Sequence, residues 1–140
     1  MIKTKAPGRI CFFGDHQDYL NLPVIAGTID RFIEIKGERN GKEYLRLKLI
    51  DFNSIIKINL NETLELIENG DYLRSSIRVL KRNGIILTEG YDIEIKGNIP
   101  IKSGLSSSSA LTIAWLRFLT KAAVPDKKIE DEQFARWAYE

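Results

Sequence analysis

The stretch IPIKSGLSSSSALTIAWLRFLTKA, Ile99 to Ala122, decides the fold. A strand ending near Gly97 is followed by Pro100, by Gly104, by four serines from Ser106 to Ser109, and then by an unbroken apolar helical run. Leu111, Ala114, Trp115, Phe118 and Ala122 fall at helical spacing and predict one buried face. The serines therefore occupy the loop and the first helical turn. There the leading backbone N–H groups lack partners within the helix and the macrodipole adds partial positive charge, so the place suits an anion, above all phosphate. Gly104 lets backbone approach a ligand, and the serines add hydroxyls without bulk. A flexible linker does not normally run straight into a core helix, and N-capping accounts for one serine or two, not four. The loop is not of the Walker type, because no Gly-Lys-Ser or Gly-Lys-Thr follows it.

The 140 residues suffice for one domain, and 44% hydrophobic with 29% charged residues is ordinary for a globular chain. A net charge of +2, with basic residues scattered among acids, gives no reason to expect a nucleic-acid partner. No apolar run approaches the roughly 18 residues of a membrane span, and MIKTKAPGRI lacks the apolar centre of a signal peptide. Cys11 is the only cysteine, which rules out an internal disulfide and makes a reducing cytoplasm the expected compartment. A lone cysteine in the apolar run Ile10 to Phe13 reads as a buried structural thiol sooner than as a nucleophile.

Residues 2 to 13 read as two extended pieces separated by Pro7-Gly8, the second apolar on both faces and so expected to be buried on both sides. Gly14-Asp15-His16-Gln17-Asp18-Tyr19 follows, with two carboxylates and the sole histidine close together on a loop leaving a strand. Ligand-binding groups are often placed in this way, and turns are equally often built from such residues; on this segment alone the two readings stand level. It lacks a second histidine, a cysteine pair and a spaced ligand set, which speaks against a metal centre.

Val24 to Lys36 predicts a strand, Arg39-Asn40-Gly41-Lys42 a hairpin turn, and Tyr44 to Leu49 its returning partner. Ile55 to Leu60 is a further strand. Asn61 to Asn83 turns helical, most clearly from Asp71, with Gly84 where a C-terminal cap belongs. Tyr91 to Lys96 alternates as a strand with one solvated face, and Pro125 separates the central helix from another at Glu130 to Glu140 with Phe134, Trp137 and Ala138 on one side. The sequence contains no internal repeat and no low-complexity linker. The last helix stops in mid-pattern without a capping residue, so the polypeptide is expected to be part of something longer.

Ala6-Pro7-Gly8-Arg9 running into Gly14-Asp15-His16-Gln17-Asp18-Tyr19, and Pro100 followed by Gly104-Leu105-Ser106-Ser107-Ser108, together resemble the first and second signature motifs of the GHMP kinases. That superfamily covers galactokinase, homoserine, mevalonate and phosphomevalonate kinases, and the first motif is most similar to the galactokinase branch. The two motifs stand about 85 residues apart, and the resemblance covers the chain as the N-terminal part of such a kinase. It implies an α+β domain of the GHMP kinase N-terminal (ribosomal protein S5 domain 2-like) fold, a mixed sheet with helices packed on one side. Residues 1 to 140 would then form the ATP- and substrate-binding domain, ending before the catalytic aspartate and the C-terminal domain.

The resemblance further implies ATP-dependent phosphoryl transfer to a small hydroxyl compound, a sugar by branch, with ATP and Mg2+ as cofactors. Gly104, Leu105, Ser106, Ser107, Ser108 and Ser109 would hold the ATP phosphates, and a hydroxyl of Ser107 or Ser108 would ligate the metal. Asp15, His16, Asp18 and Tyr19 would bind sugar hydroxyls, and Arg9 would stand near the transferred phosphate. Asp15 occupies a place where these kinases commonly carry glutamate, one methylene longer, and Lys102 a place usually held by a small residue. The catalytic aspartate and the third, glycine-rich motif belong beyond Glu140, and Glu140 is a candidate for the family's magnesium glutamate. Without that aspartate the 140-residue chain is expected to show no turnover. The alternatives are a non-catalytic ATP and sugar sensor on the same fold and a kinase for a non-sugar alcohol such as mevalonate.

Overall fold

The computed structural model describes residues 1–14, 17, 20–65, 67–100 and 104–140. Five strands, β1 (Ile2–Phe13), β2 (Ile25–Arg39), β3 (Tyr44–Leu49), β4 (Ser54–Asn59) and β5 (Tyr91–Gly97), form one mixed sheet in the order β1-β2-β5-β3-β4. Three helices, α1 (Tyr72–Arg82), α2 (Ser107–Ala123) and α3 (Asp131–Tyr139), complete the expected α+β layout. Tyr91, Ile93 and Ile95 of β5 and Leu45 and Leu47 of β3 are buried while the residues between them are exposed. Period-two alternation sends one set of side chains toward the helices and the other to solvent.

The core closes around α2. Trp115 and Phe118 stack with ring centroids 5.6 Å apart, and Tyr91 meets Phe118 edge-on at the same distance. The Trp115 indole N–H donates to the Leu73 carbonyl at 3.0 Å, and the Thr4 hydroxyl to the Ala114 carbonyl at 2.9 Å. These buried bonds tie α2 to α1 on one side and to β1 on the other, and a buried carbonyl that lost its donor would carry the full desolvation cost. Gly37 on β2 is required by this packing, because a Cβ there would stand 2.6 Å from Phe118 Cζ.

Five local expectations are corrected. The pair Pro7-Gly8 does not divide two strands: β1 is continuous, and Ile29 to Arg31 of β2 stand opposite the single Gly8. Pro7 is tolerated because β1 is an edge strand, where a missing N–H removes no ladder bond on the open side. Nor is Ile10 to Phe13 buried, for Ile10 is 38%, Phe12 59% and Phe13 71% exposed, and Cys11 is half-buried. The reason is the register: β5 pairs β2 only from Ile33 to Arg39, so the outer part of the β1-β2 ribbon has no third strand beside it.

The turn at Arg39-Asn40-Gly41-Lys42 does not make a two-strand hairpin, because β5 lies between β2 and β3 and pairs β3 in parallel. Asn40 and Gly90 close that slot. The Asn40 N–H donates to the Gly90 carbonyl at 3.1 Å and the Gly90 N–H to the Lys42 carbonyl at 2.9 Å, while a Cβ on Gly90 would collide with the Lys42 and Tyr44 carbonyl oxygens. Finally, helix α1 begins only at Tyr72, capped by Asp71, whose carboxylate accepts from the Arg74 N–H at 3.0 Å. Gly84 follows its end with φ +75° as expected, but Ala138 of α3 is exposed while Phe134 and Trp137 are buried.

Candidate functional site

The β5 strand delivers the chain to the serine loop. Gly104 has φ +71°, open space where a side chain would be, and so permits a turn that other residues resist. Ser106, at the N-cap of α2, adopts φ +57°, ψ +44°, a left-handed conformation uncommon outside glycine. Its side chain makes no capping bond. Its carbonyl accepts the first intrahelical bond, from the Ala110 N–H at 3.0 Å, which leaves the N–H groups of Ser107, Ser108 and Ser109 without an acceptor among the described residues. Capping therefore does not explain even one of the four serines. The helix presents three amide donors, the positive end of a 17-residue dipole and free hydroxyls at one point.

The loop is fixed to β1 at the first motif. The Arg9 N–H donates to the Leu105 carbonyl at 3.2 Å, and Gly8 packs so closely beneath that a Cβ would stand 2.8 Å from the same oxygen. Arg9 is thus placed at the serine loop, with its side chain exposed and without an ion-pair partner among the described residues. Asp15, His16, Asp18 and Tyr19 lie outside the described residues, as does Lys102. Their flanks are described: the Gln17 N–H donates to the Gly14 carbonyl at 3.0 Å and the Leu22 N–H to the Gln17 carbonyl at 3.2 Å. Gly14 is five residues beyond Arg9, roughly 16 Å of strand.

Beside the loop runs a groove of about 530 Å3, which the sequence did not announce. It is bordered by Phe52 of the 3-10 turn Ile50–Phe52, by Tyr72 at the start of α1, by Ile95 and Ile99, and it ends on Ser107 and Ser108. The rings of Phe52 and Tyr72 are 63% and 45% exposed, the condition of side chains that can still receive a flat apolar group. Its lining comes from five separate parts of the chain, so only the folded arrangement shows it. Arg74 braces the Tyr72 side: its guanidinium meets Asp71 at 2.9 Å and Glu62 at 2.6 Å, and these carboxylates, Asp71 first, raise it above its ordinary range.

A magnesium ion bound beside phosphates keeps much of its water and needs one or two protein oxygens. The free hydroxyls of Ser107 and Ser108 fit that demand. Glu140 shares a cleft of about 200 Å3 with Ser108 and Ser109, its carboxylate accepting from Asn83 Nδ2 at 3.3 Å. Among the described residues no cluster of three or more His, Cys, Asp or Glu forms a metal cage.

Fold and loop define a class: an α+β domain whose central helix opens its N-terminus, studded with hydroxyls, onto an apolar groove and an adjacent arginine. The chain belongs to the GHMP kinase N-terminal domain family, whose profile, GHMP kinases N terminal domain, matches residues 71–140. It is 32% identical over 130 residues to a galactokinase of Thermococcus kodakarensis, covering 86% of this chain and 34% of that one. It is 33% identical over 119 residues to a galactokinase of Thermosipho africanus, covering 81% and 31%. The chain thus spans about a third of the length of these curated relatives. Among solved structures it resembles the mevalonate kinase of Methanococcus jannaschii, with TM-score 0.85 and 26% identity over 99% of this chain and 44% of that one. The fold also matches the Lactococcus lactis galactokinase complexed with galactose, with TM-score 0.81 and 24% identity over 97% and 36%.

Proposed function

We propose that this chain is the ATP- and substrate-binding portion, residues 1 to 140, of a kinase that transfers the terminal phosphoryl group of ATP to a sugar hydroxyl. The observation that carries the reading is the bond from the Arg9 N–H to the Leu105 carbonyl, which brings the first motif against a helix N-terminus with three free amide donors. Phosphoryl transfer asks a protein chiefly for positioning and charge neutralisation. The Ser107, Ser108 and Ser109 amides, entered through Gly104, Leu105 and Ser106, hold the phosphates, and the apolar groove takes the base. Ser107 and Ser108 contribute hydroxyls to magnesium, with Glu140 across the neighbouring cleft. Arg9 draws negative charge from the phosphoryl group in flight, and its backbone anchor fixes where that charge is met.

Asp15, His16, Asp18 and Tyr19 are assigned to the acceptor. Carboxylates accept from sugar hydroxyls and an imidazole donates or accepts, so an analogue lacking a hydroxyl leaves these groups unpaired and is rejected. The resemblance puts the base that deprotonates the acceptor, an aspartate, C-terminal to Glu140. Identity above 30% to two galactokinases over most of the chain favours a sugar over the alcohol of a mevalonate kinase, even though the mevalonate kinase fold matches at TM-score 0.85 against 0.81 for the solved galactokinase. Calorimetric titration of the chain with ATP and magnesium tests the reading. Binding is expected, weakened about tenfold or more by the double change Ser107→Ala, Ser108→Ala. Absence of ATP binding by the unmodified chain refutes it.

A further inference from the structure

At the end of α2 away from the serine loop, the corner leading into α3 encloses a groove of about 250 Å3. Its floor is apolar, made by the buried ring of Phe134 and the half-buried side chains of Val124 and Ile129. Its rim sets Arg117, Lys121, Lys127 and Lys128 against a single carboxylate, Asp131. The acids of this corner are already engaged: Glu130 with Lys128 at 3.0 Å, Asp131 with Arg117 at 2.6 Å and Glu132 with Arg136 at 2.7 Å. Lys121 and Lys127 have no ion-pair partner among the described residues. Lys121, in the last turn of α2, suits the negative end of the helix dipole, but Lys127 and Lys128 stand beyond the helix, where that reason no longer holds. Arg117 is half-used. Its guanidinium lies over the Phe134 ring, 5.4 Å from the centre, and donates through Nη2 to one oxygen of Asp131. The Nε hydrogen on the same edge is buried with no partner among the described residues, a donor left without an acceptor.

We propose that this corner docks an acidic segment of a partner protein, held by carboxylates and anchored by an apolar side chain. The Asp131 side chain is 86% exposed, so its bond to Arg117 is a weak one to exchange. A carboxylate of the partner displaces it and takes the Nε and Nη2 hydrogens together, the two-pronged arrangement in which arginine binds carboxylate best. Lys121 and Lys127 meet further acidic side chains, and an apolar residue between these covers the floor at Phe134 and Ile129. A free phosphate or small dicarboxylate uses the cations but leaves the floor bare, which is why the groove fits a peptide better than either. Helix α2 is 17 residues long, about 25 Å, so this corner is separate from the serine loop and the inference does not depend on the function proposed above.

The probes are fluorescently labelled peptides of about twelve residues in which glutamate is interspersed with leucine or phenylalanine at strand or helix spacing, each beside a counterpart with glutamine for glutamate. Fluorescence anisotropy measures their binding to the chain. At least one acidic peptide is expected to bind in the micromolar range, its glutamine counterpart about tenfold or more weaker, with affinity falling as salt is raised. The double reversal Lys121→Glu, Lys127→Glu is expected to weaken the acidic peptide about tenfold or more, while the same reversal at Lys3 and Lys96, exposed on the sheet, leaves it unchanged. All four lysines are surface residues, and thermal melts check that both variants fold. Arg117→Lys keeps the charge but lacks the fork, and should weaken the peptide as well. No binding by any acidic peptide, equal binding by the glutamine counterparts, or equal effects of the two double reversals overturns the proposal. So does displacement of the peptide by millimolar phosphate or succinate as readily as by its unlabelled form, which would make the groove a small-anion site.

Discussion

The contact between the two motifs is concentrated at Gly8, which makes Gly8→Ala the most informative single change. An added Cβ would stand 2.8 Å from the Leu105 carbonyl oxygen, 3.1 Å from Ile99 Cδ1 and 3.3 Å from Ile29 Cδ1. Ordinary contact begins near 3.4 Å, so the oxygen must retreat by about 0.6 Å (3.4 less 2.8). The side chains of Ile99 and Ile29 can turn aside, but the Leu105 oxygen is backbone and moves only with the loop. The Arg9 N–H to Leu105 bond, 3.2 Å long already, then stretches beyond useful length. Losing it costs about 1 kcal/mol, and residual overpacking about 1 to 2 more. For a chain of this size that lowers the melting temperature by roughly 5 to 10 °C. Since the displaced loop carries the Ser107, Ser108 and Ser109 amides, ATP affinity should fall about tenfold alongside. Thermal denaturation and calorimetric ATP titration measure the two effects. Gly41→Ala is the control: its φ of +65° is strained for alanine but its Cβ meets nothing, so it should cost stability without touching ATP binding. A Gly8→Ala protein that binds ATP with unchanged affinity and melts as the parent does would refute the claim that β1 sets the position of the loop.

Two further changes test the frame that holds the site. Trp115→Phe keeps an aromatic ring against Phe118 but deprives the buried Leu73 carbonyl of its donor, so denaturant midpoints should report a loss of about 1 to 3 kcal/mol. Gly90→Ala forces a Cβ into the Lys42 and Tyr44 carbonyls at the point where β5 enters between β2 and β3; urea titration should show a loss of about 3 kcal/mol or more, since two backbone oxygens must give way at once.

Some features were already local in the sequence, and these the chain chose for itself. A helix beginning after four serines, ending before Pro125 and carrying Trp115 and Phe118 inward needs only its own periodicity, and α2 spans Ser107–Ala123 accordingly. The alternation of Tyr91 to Lys96, and Asp71 and Gly84 as start and stop of α1, were legible for the same reason. What could not be read there was whatever depends on neighbours from elsewhere. Asn40-Gly41 has hairpin chemistry, yet whether the next strand returns beside β2 or leaves room for β5 is decided by a glycine 50 residues later at Gly90, small enough to pass between two carbonyls. Ile10 to Phe13 has the letters of a core strand and stands exposed because β5 stops pairing at Ile33. The serine loop reads as an anion site from composition alone, but the groove beside it joins Phe52, Tyr72, Asn98 and Ser107, and side chains so distant in sequence acquire a common chemistry only when packing makes them neighbours.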